Sequence, residues 1–382
     1  MTECSSAYIH IPFCLRKCPY CDFVSFDDSS ALRPSYLIAL RKEIERTAIT
    51  HPVGEMKTIY FGGGTPTLFS PEELKSILTA ILFSFDVHSG AEITVEANPG
   101  TIDFNSLTGY KTAGFNRISI GVQSFSEADL RVLGRIHSAD QAKESLLIAR
   151  EAGFSNISCD LMIGLPGQTI DTVRGNAGQL ISMGIPHISC YSLSLETGTL
   201  FHRRYSTHSD QLPTDEEERE MYHAIRRMLL SEGYIHYEIS NFALPGYQSR
   251  HNTTYWDAKG YYGFGCGAHS YVERTRYANT TDLKEYIHIM LSDDSNPDRI
   301  RKDKESIGPK EEASEFMLLG FRKTEGISRG DFESRLGVYP EEIFSKELSE
   351  LIKKGLIERD EDRYRLTEKA LDFANVVFRS FV

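Results

Sequence analysis

The stretch Tyr8-Ile-His-Ile-Pro-Phe-Cys14-Leu-Arg-Lys-Cys18-Pro-Tyr-Cys21 decides how the rest of the chain reads. An apolar, strand-like run feeds directly into three cysteines spaced C-x3-C-x2-C. Thiolate suits iron–sulfur clusters, and cysteines this close in one loop can reach neighbouring irons of one cube. A four-iron cube has four corners, so Cys14, Cys18 and Cys21 leave one iron open to an exchangeable ligand. The competing reading is a zinc knuckle, which needs a fourth Cys or His. The nearest candidate, His10, lies on the strand side. An odd, crowded set of cysteines does not read as a disulfide framework.

The 382 residues, 40% of them apolar, suffice for a main domain and a smaller one. No run of about 18 apolar residues occurs, so no stable membrane insertion is expected. Met1-Thr-Glu-Cys-Ser-Ser lacks the charged and apolar regions of a signal peptide. Seven cysteines, three of them in the cluster motif, point to a reducing compartment, read here as the cytoplasm. In that compartment the Asn252-Thr-Thr and Asn279-Thr-Thr sequons carry no meaning. A net charge of −12, from 42 basic and 54 acidic residues, argues against nucleic acid as a partner.

Strand-like and helix-like segments alternate up to about residue 235. Strands are expected at 7–12, 58–61, 92–96, 117–122, 157–163 and 187–193, apolar on both faces as buried parallel strands are. Helices are expected at 36–47, 71–83 and 139–152. Ala113-Gly114-Phe115, Ala152-Gly153-Phe154, Met183-Gly184-Ile185 and Glu232-Gly233-Tyr234 each place a glycine after a helical run and an apolar residue behind it. That is a left-handed helix stop followed by a return to the core. Six such units read as an α/β fold, a partial (β/α)6 barrel, with a doubly wound sheet as the rival. In such barrels chemistry sits at the C-terminal strand ends, where Glu96, Asn98, Gln123, Ser124, Tyr191, Ser192 and Ser194 fall, with Asp160 within its strand.

Phe61-Gly-Gly-Gly-Thr-Pro-Thr67 follows the second strand; with no Lys-Ser/Thr pair it is not a P-loop, and alone it reads as a tight turn. Beside the cysteine loop, however, the pair resembles the radical S-adenosylmethionine (radical SAM) superfamily. There the open iron chelates the amino and carboxylate groups of S-adenosylmethionine. The chain further resembles the subfamily holding the oxygen-independent coproporphyrinogen III dehydrogenase and the HemW-type heme chaperones. Glu96-Ala-Asn-Pro, Gly121-Val-Gln-Ser-Phe125, Arg135 and Asp160-Leu-Met-Ile-Gly-Leu-Pro-Gly-Gln168 carry that likeness. By this resemblance Tyr8, Tyr20, Gly63, Gly64, Thr65, Glu96, Gln123, Arg135, Asp160, Ser194 and His269 surround S-adenosylmethionine, beside a 4Fe-4S cluster on the three cysteines.

Two departures choose the branch. Phe23 stands where the dehydrogenase has a further cysteine, and Arg250-His251-Asn-Thr-Thr-Tyr255-Trp256 matches the H-N-x-x-Y-W pattern of the heme chaperones. Imidazole can ligate heme iron, and Tyr and Trp rings can pack on a porphyrin. The resemblance therefore implies heme at His251, Tyr255 and Trp256; the residues alone also fit an aromatic pair beside a capping His-Asn. Gly263-Phe-Gly-Cys-Gly-Ala268 fits a nucleotide fingerprint only formally, lacking its strand–helix setting, and by resemblance closes over the cofactor. Thr214 caps the acidic opening Asp215-Glu-Glu-Glu. A polar linker or surface crossing is expected at 293–310, then helices and a hairpin in a winged-helix-like outline that, by the resemblance, covers the barrel's open side.

The expected organisation is a core barrel (1–235), an extension with the H-N-x-x-Y-W motif and glycine-rich loop (236–305), and a winged-helix-like α+β domain (306–382). The expected function is heme chaperoning, with transfer to an acceptor hemoprotein such as a respiratory one, and with no assigned catalytic residue. A homodimer is compatible with it. The alternative is radical oxidative decarboxylation of coproporphyrinogen III.

Overall fold

The computed structural model describes residues 4–50, 54–207 and 209–382; the reading of Met1-Thr-Glu lies outside them. Six βα units come first: β1 (Cys4–Ile11), α1 (Arg33–Thr50), β2 (Met56–Gly63), α2 (Pro71–Ser84), β3 (Val87–Ala97), α3 (Phe104–Ala113), β4 (Arg117–Gln123), α4 (Glu127–Val132), α5 (Ala139–Glu151), β5 (Asn156–Ile163), α6 (Ile170–Ser182), β6 (His187–Ser192), α7 (Leu200–Tyr205) and α8 (Asp215–Ser231). Cys4 opens β1 and is buried.

The strands pair in parallel in the order β1-β2-β3-β4-β5-β6. A doubly wound sheet reverses direction at a switch point; an order that never reverses keeps right-handed crossovers on one face and curls the sheet. The partial barrel is therefore the fold. The four glycine stops form as expected. Gly114, Gly153, Gly184 and Gly233 all have positive φ, and the next amides (Phe115, Phe154, Ile185, Tyr234) bond back to carbonyls five residues earlier. Each following side chain is buried. Thr214 caps α8 in a reciprocal box with Glu217.

The next segment adds to both flanks of this sheet. β7 (Ile235–Glu238) and β8 (Asn241–Ala243) continue it antiparallel beyond β6. After α9 (Arg250–Trp256), β9 (Gly260–Phe264) pairs in parallel with β1. β10 (His269–Val272), β11 (Thr275–Asn279), α10 (Leu283–Leu291) and β12 (Arg301–Ser306) follow, giving the order β12-β11-β10-β9-β1 on that side. The expected linker is thus partly a strand: β12 is an exposed sheet edge rich in charge, which discourages further pairing.

The chain closes with α11 (Pro309–Gly320), β13 (Ile327–Ser328), α12 (Arg329–Leu336), α13 (Pro340–Lys353), the hairpin β14 (Ile357–Arg359)–β15 (Arg363–Leu366) and α14 (Ala374–Arg379). The strand order β13-β15-β14 gives winged-helix connectivity around a core of its own, built on Met317, Phe321, Phe332 and Leu348. This unit touches both flanks of the large sheet. Lys323 and Thr324 bond with the β7–β8 side, while Glu312 and Glu315 pair with Arg274 and Arg276 at β10–β11.

Candidate functional site

At the C-terminal strand ends a cavity of about 360 Å³ opens, with Cys14, Cys18 and Cys21 on one wall. The loop carrying them is braced by main-chain bonds, Cys14 N to Phe26 O (3.0 Å) and Phe26 N to Pro12 O (2.8 Å). His10 holds it from behind, its Nε2 2.7 Å from Val24 O and its Nδ1 3.0 Å from the Tyr8 hydroxyl. His10 is therefore a bracket and not a fourth ligand.

The three thiols share the wall without meeting at one point. Among the described residues no group of three or more His, Cys, Asp or Glu side chains is gathered closely enough to hold a single ion. A zinc site would bring its sulfurs within about 2.3 Å of one centre, whereas a cube separates its ligands at its corners. Burial pushes the Cys14 thiol up, and Cys21 up to about 11. These sulfurs shed their protons readily only beside a strong positive charge, which cluster irons supply. The donor set fits a cube with an open corner.

A hydrogen-bonded chain crosses the cleft between two of the sulfurs. Thr65 Oγ1 lies 3.8 Å from Cys14 Sγ and accepts from Asn98 Nδ2 at 3.0 Å. Asn98 Oδ1 in turn accepts from Arg135, whose Nη1 lies 3.5 Å from Cys18 Sγ. Arg135 also donates to Gly121 O at 2.7 Å, and a Cβ at Gly121 would sit 2.9 Å from Asn98 Oδ1. Only glycine leaves that path clear.

The glycine run does something other than present free amides. Gly63 N donates to Glu96 Oε2 (3.1 Å) and Gly64 N to Ile11 O (2.9 Å). Gly63 has φ +111°, and a Cβ there would lie 2.5 Å from the His10 ring. The run therefore locks the second strand's end against the first, and Gly63 and Gly64 line the cavity. Gln123 ends β4 with φ +67°, a left-handed conformation that costs a non-glycine residue about 1 kcal/mol or more. Such strain concentrates where a side chain is aimed at a ligand.

Of the eleven residues expected around S-adenosylmethionine, Tyr20, Gly63, Gly64, Thr65, Glu96, Gln123, Arg135 and Asp160 line this cavity. Tyr8, Ser194 and His269 are not part of its lining. Tyr8 packs on Tyr60 (6.1 Å between ring centroids) with its hydroxyl on His10; Ser194 is exposed and bonded to Glu196; His269 is exposed at the start of β10. The loop 263–268, expected to close over the cofactor, lies behind the cysteine loop instead. Gly265 N and Cys266 N bond to Glu43 and Tyr36, and a Cβ on Gly267 would strike Val24.

Other lining residues were not anticipated: Tyr60, Arg117, Ser119, Ser158 and Ser189. Arg117 is only 2% exposed, and its Nε has no hydrogen-bond partner. The signal was present in β4, where Arg117, Ser119, Gly121 and Gln123 occupy alternate positions and face inward together. The inner faces of these strands are polar, contrary to the apolar-on-both-faces expectation.

Burial pushes Glu96 up to about 7, offset in part by bonds from Tyr60 (2.7 Å) and Gly63; burial likewise raises Asp160. A raised carboxyl favours the protonated fold. Below about pH 4.5 folded and unfolded chains both hold the proton. As pH rises from there toward 7 only the unfolded chain ionises, so stability falls through that window. In the cofactor-free protein, Glu96→Gln is expected to gain about 1–3 kcal/mol relative to the parent between about pH 5 and pH 8. Paired denaturant titrations measure this; a difference that does not change with pH would show that Glu96 is ionised in the fold.

The H-N-x-x-Y-W motif forms α9, which packs at the opposite, N-terminal ends of the strands. His251 is buried, with Nδ1 2.8 Å from Thr58 Oγ1, Nε2 2.8 Å from the Tyr255 hydroxyl, and its ring stacked on Tyr60 at 5.0 Å. Burial lowers its pKa to about 3. Both nitrogens of His251 are thus engaged within the protein in this conformation. Tyr255 is tied to His251 and packs edge-on to Tyr261 (4.7 Å). Trp256 lies under Arg322 (4.4 Å) and borders a separate cavity.

Residues 8–177 match the family profile described as the radical SAM superfamily, and 307–373 the one described as the HemN C-terminal domain. Curated proteins named heme chaperone HemW are similar end to end. The one from Bacillus subtilis is 39% identical, covering 99% of each chain; that from Lactococcus lactis is 36% identical, covering 99% of this chain and 97% of its own. Among solved structures, the radical SAM coproporphyrinogen III oxidase HemN of Escherichia coli superposes with a TM-score of 0.85 at 21% identity. It covers 100% of this chain and 91% of that one, a likeness of fold. No helix among the described residues is long and apolar enough to cross a membrane. The chain belongs to the radical SAM superfamily and, within it, to the HemW heme chaperone family.

Proposed function

We propose that this protein binds heme and passes it to an acceptor hemoprotein, with a 4Fe-4S cluster on Cys14, Cys18 and Cys21 and S-adenosylmethionine in the adjoining cavity. The observation that carries this reading is the end-to-end similarity to named heme chaperones, 39% over 378 residues. Phe23, exposed at the cavity mouth where the dehydrogenase resemblance calls for another cysteine, supports it.

Each lining residue has a physical task. Glu96, Asp160 and Gln123 can accept or share hydrogen bonds with a ribose or ammonium group. Arg135 fixes Asn98 and the Cys18 side of the loop, and Tyr20 offers an aromatic wall braced edge-on by Phe201 at 5.9 Å. Tyr8, Ser194 and His269 would act at one remove. When bound, the cluster supplies redox chemistry and an open iron; the chain's part is to hold it at the mouth of a cavity whose lining includes Glu96, Arg117 and Asp160.

The acceptor, on this reading, is a respiratory hemoprotein met in the cytoplasm, and a homodimer is the assembly to look for. The test offers the anaerobically reconstituted protein both kinds of substrate. Handover of hemin to an apo-hemoprotein is expected, and coproporphyrinogen III, given with S-adenosylmethionine and a reductant, should remain unconverted.

A further inference from the structure

Helix α9 is a partition between two cavities. Asn252 faces the cysteine-lined cavity, while Arg250, Thr253 and Trp256 face a second one of about 690 Å³ between the barrel and the C-terminal unit. That volume lies inside the range of about 300–1,000 Å³ typical of ligand pockets. Its walls carry Lys57, Arg250, Lys259, Arg274, Lys323 and Arg335 against Asp257, Glu312 and Asp331. The cleft thus holds a surplus of three positive charges in a chain whose net charge is −12.

The acids do not exhaust the cations. Asp257 is shared by Lys259 (2.8 Å) and Lys323 (2.6 Å), and Glu312 by Arg274 and Arg335 (both 2.8 Å). Arg250 is spent on main-chain carbonyls, Gly90 O at 2.9 Å and Lys57 O at 3.4 Å, so its charge is unmatched. Surplus positive charge calls for an anionic ligand. The two rings on the wall, Trp256 and Phe316, call for a flat apolar one.

We propose that this cleft is the heme-docking site: the macrocycle lies against Trp256 and Phe316, and the propionates meet the cations, Lys57 and Arg274 among them. The proposal rests on the heme-binding reading above and gives it a location other than His251. The lining contains no His, Cys, Met or Tyr to hold the iron. Heme held by its edges and faces leaves without breaking a protein–iron bond, which suits a carrier and not a resident hemoprotein.

Full-length protein is titrated with hemin and with hemin dimethyl ester, whose propionates are capped, following the Soret band. Parent, Lys57→Glu/Arg274→Gln and His251→Gln proteins are compared, with thermal melts as the folding control. The double variant is expected to bind hemin at least about tenfold more weakly, and the ester to bind the parent at least about tenfold more weakly than hemin does. His251→Gln should bind within about twofold of the parent. Because the ester comparison needs only the parent protein, it stands even if a variant misfolds. Equal binding of hemin and ester, undiminished binding by the folded double variant, or loss of binding in folded His251→Gln overturns the site. No Soret change in the parent overturns the heme-binding reading itself, and the site with it.

Discussion

A Cys14→Ala/Cys18→Ala/Cys21→Ala variant, reconstituted anaerobically with iron and sulfide, is expected to take up no cluster at all. The remaining cysteines cannot substitute. Cys4, Cys159, Cys190 and Cys266 are buried within strands or packing contacts, and burial raises all four thiols. Visible absorption, iron and labile sulfide should fall to baseline together. Folding should survive, because the loop is held by Cys14 N–Phe26 O, Phe26 N–Pro12 O and His10 Nε2–Val24 O, none of which uses a thiol. Stoichiometric zinc in the parent, in place of iron and sulfide, would remove the cluster from the account.

The second large effect is on stability. Gly265 has φ +103°, and a Cβ there would lie 2.4 Å from Tyr36 Oη and 2.6 Å from His10 O. Tyr36 donates to that same His10 carbonyl (2.6 Å) and accepts from Cys266 N (3.2 Å), while Gly265 N donates to Glu43 (2.8 Å). Gly265→Ala therefore adds left-handed strain, about 1 kcal/mol or more, to overpacking of about 1–3 kcal/mol. A loss of about 3 kcal/mol is expected in denaturant midpoints, with weaker retention of the cluster. Gly153→Ala is the control: φ is +91°, but nothing lies within 4 Å of the added carbon. It should cost about 1 kcal/mol. If the two substitutions cost the same, the loop 263–268 does not brace the cysteine loop.

The barrel was legible because buried parallel strands are short apolar runs between helix stops, and each glycine stop states its own geometry. Strand order was not legible as such. The same alternation serves a doubly wound sheet, and only the unreversed pairing β1 to β6 separates them. The parallel pairing of β9 with β1 joins residues some 250 positions apart, beyond any local pattern. β12 looks like a linker or surface crossing in the sequence because an exposed edge strand is selected to look polar.

The cysteine wall was readable because cluster ligands must be adjacent in one loop. The cavity floor is not legible in the sequence, because Arg117, Ser158 and Ser189 look like ordinary strand residues until alternate positions are assigned a common face. The setting of His251 is hidden from the sequence for a related reason. A motif gives residue types, but Thr58, the partner of its Nδ1, lies 193 residues earlier in the chain. Which side of α9 meets open space was settled by packing alone.

The central claim is delivery of heme. Its most direct measurement loads the anaerobically reconstituted protein with hemin, mixes it with an apo-hemoprotein, and follows the acceptor's Soret band against free hemin as the control. Saturable transfer that depends on the loaded protein, with coproporphyrinogen III left unchanged in the parallel incubation, is the predicted result. Efficient formation of protoporphyrinogen IX with no heme transfer would contradict it.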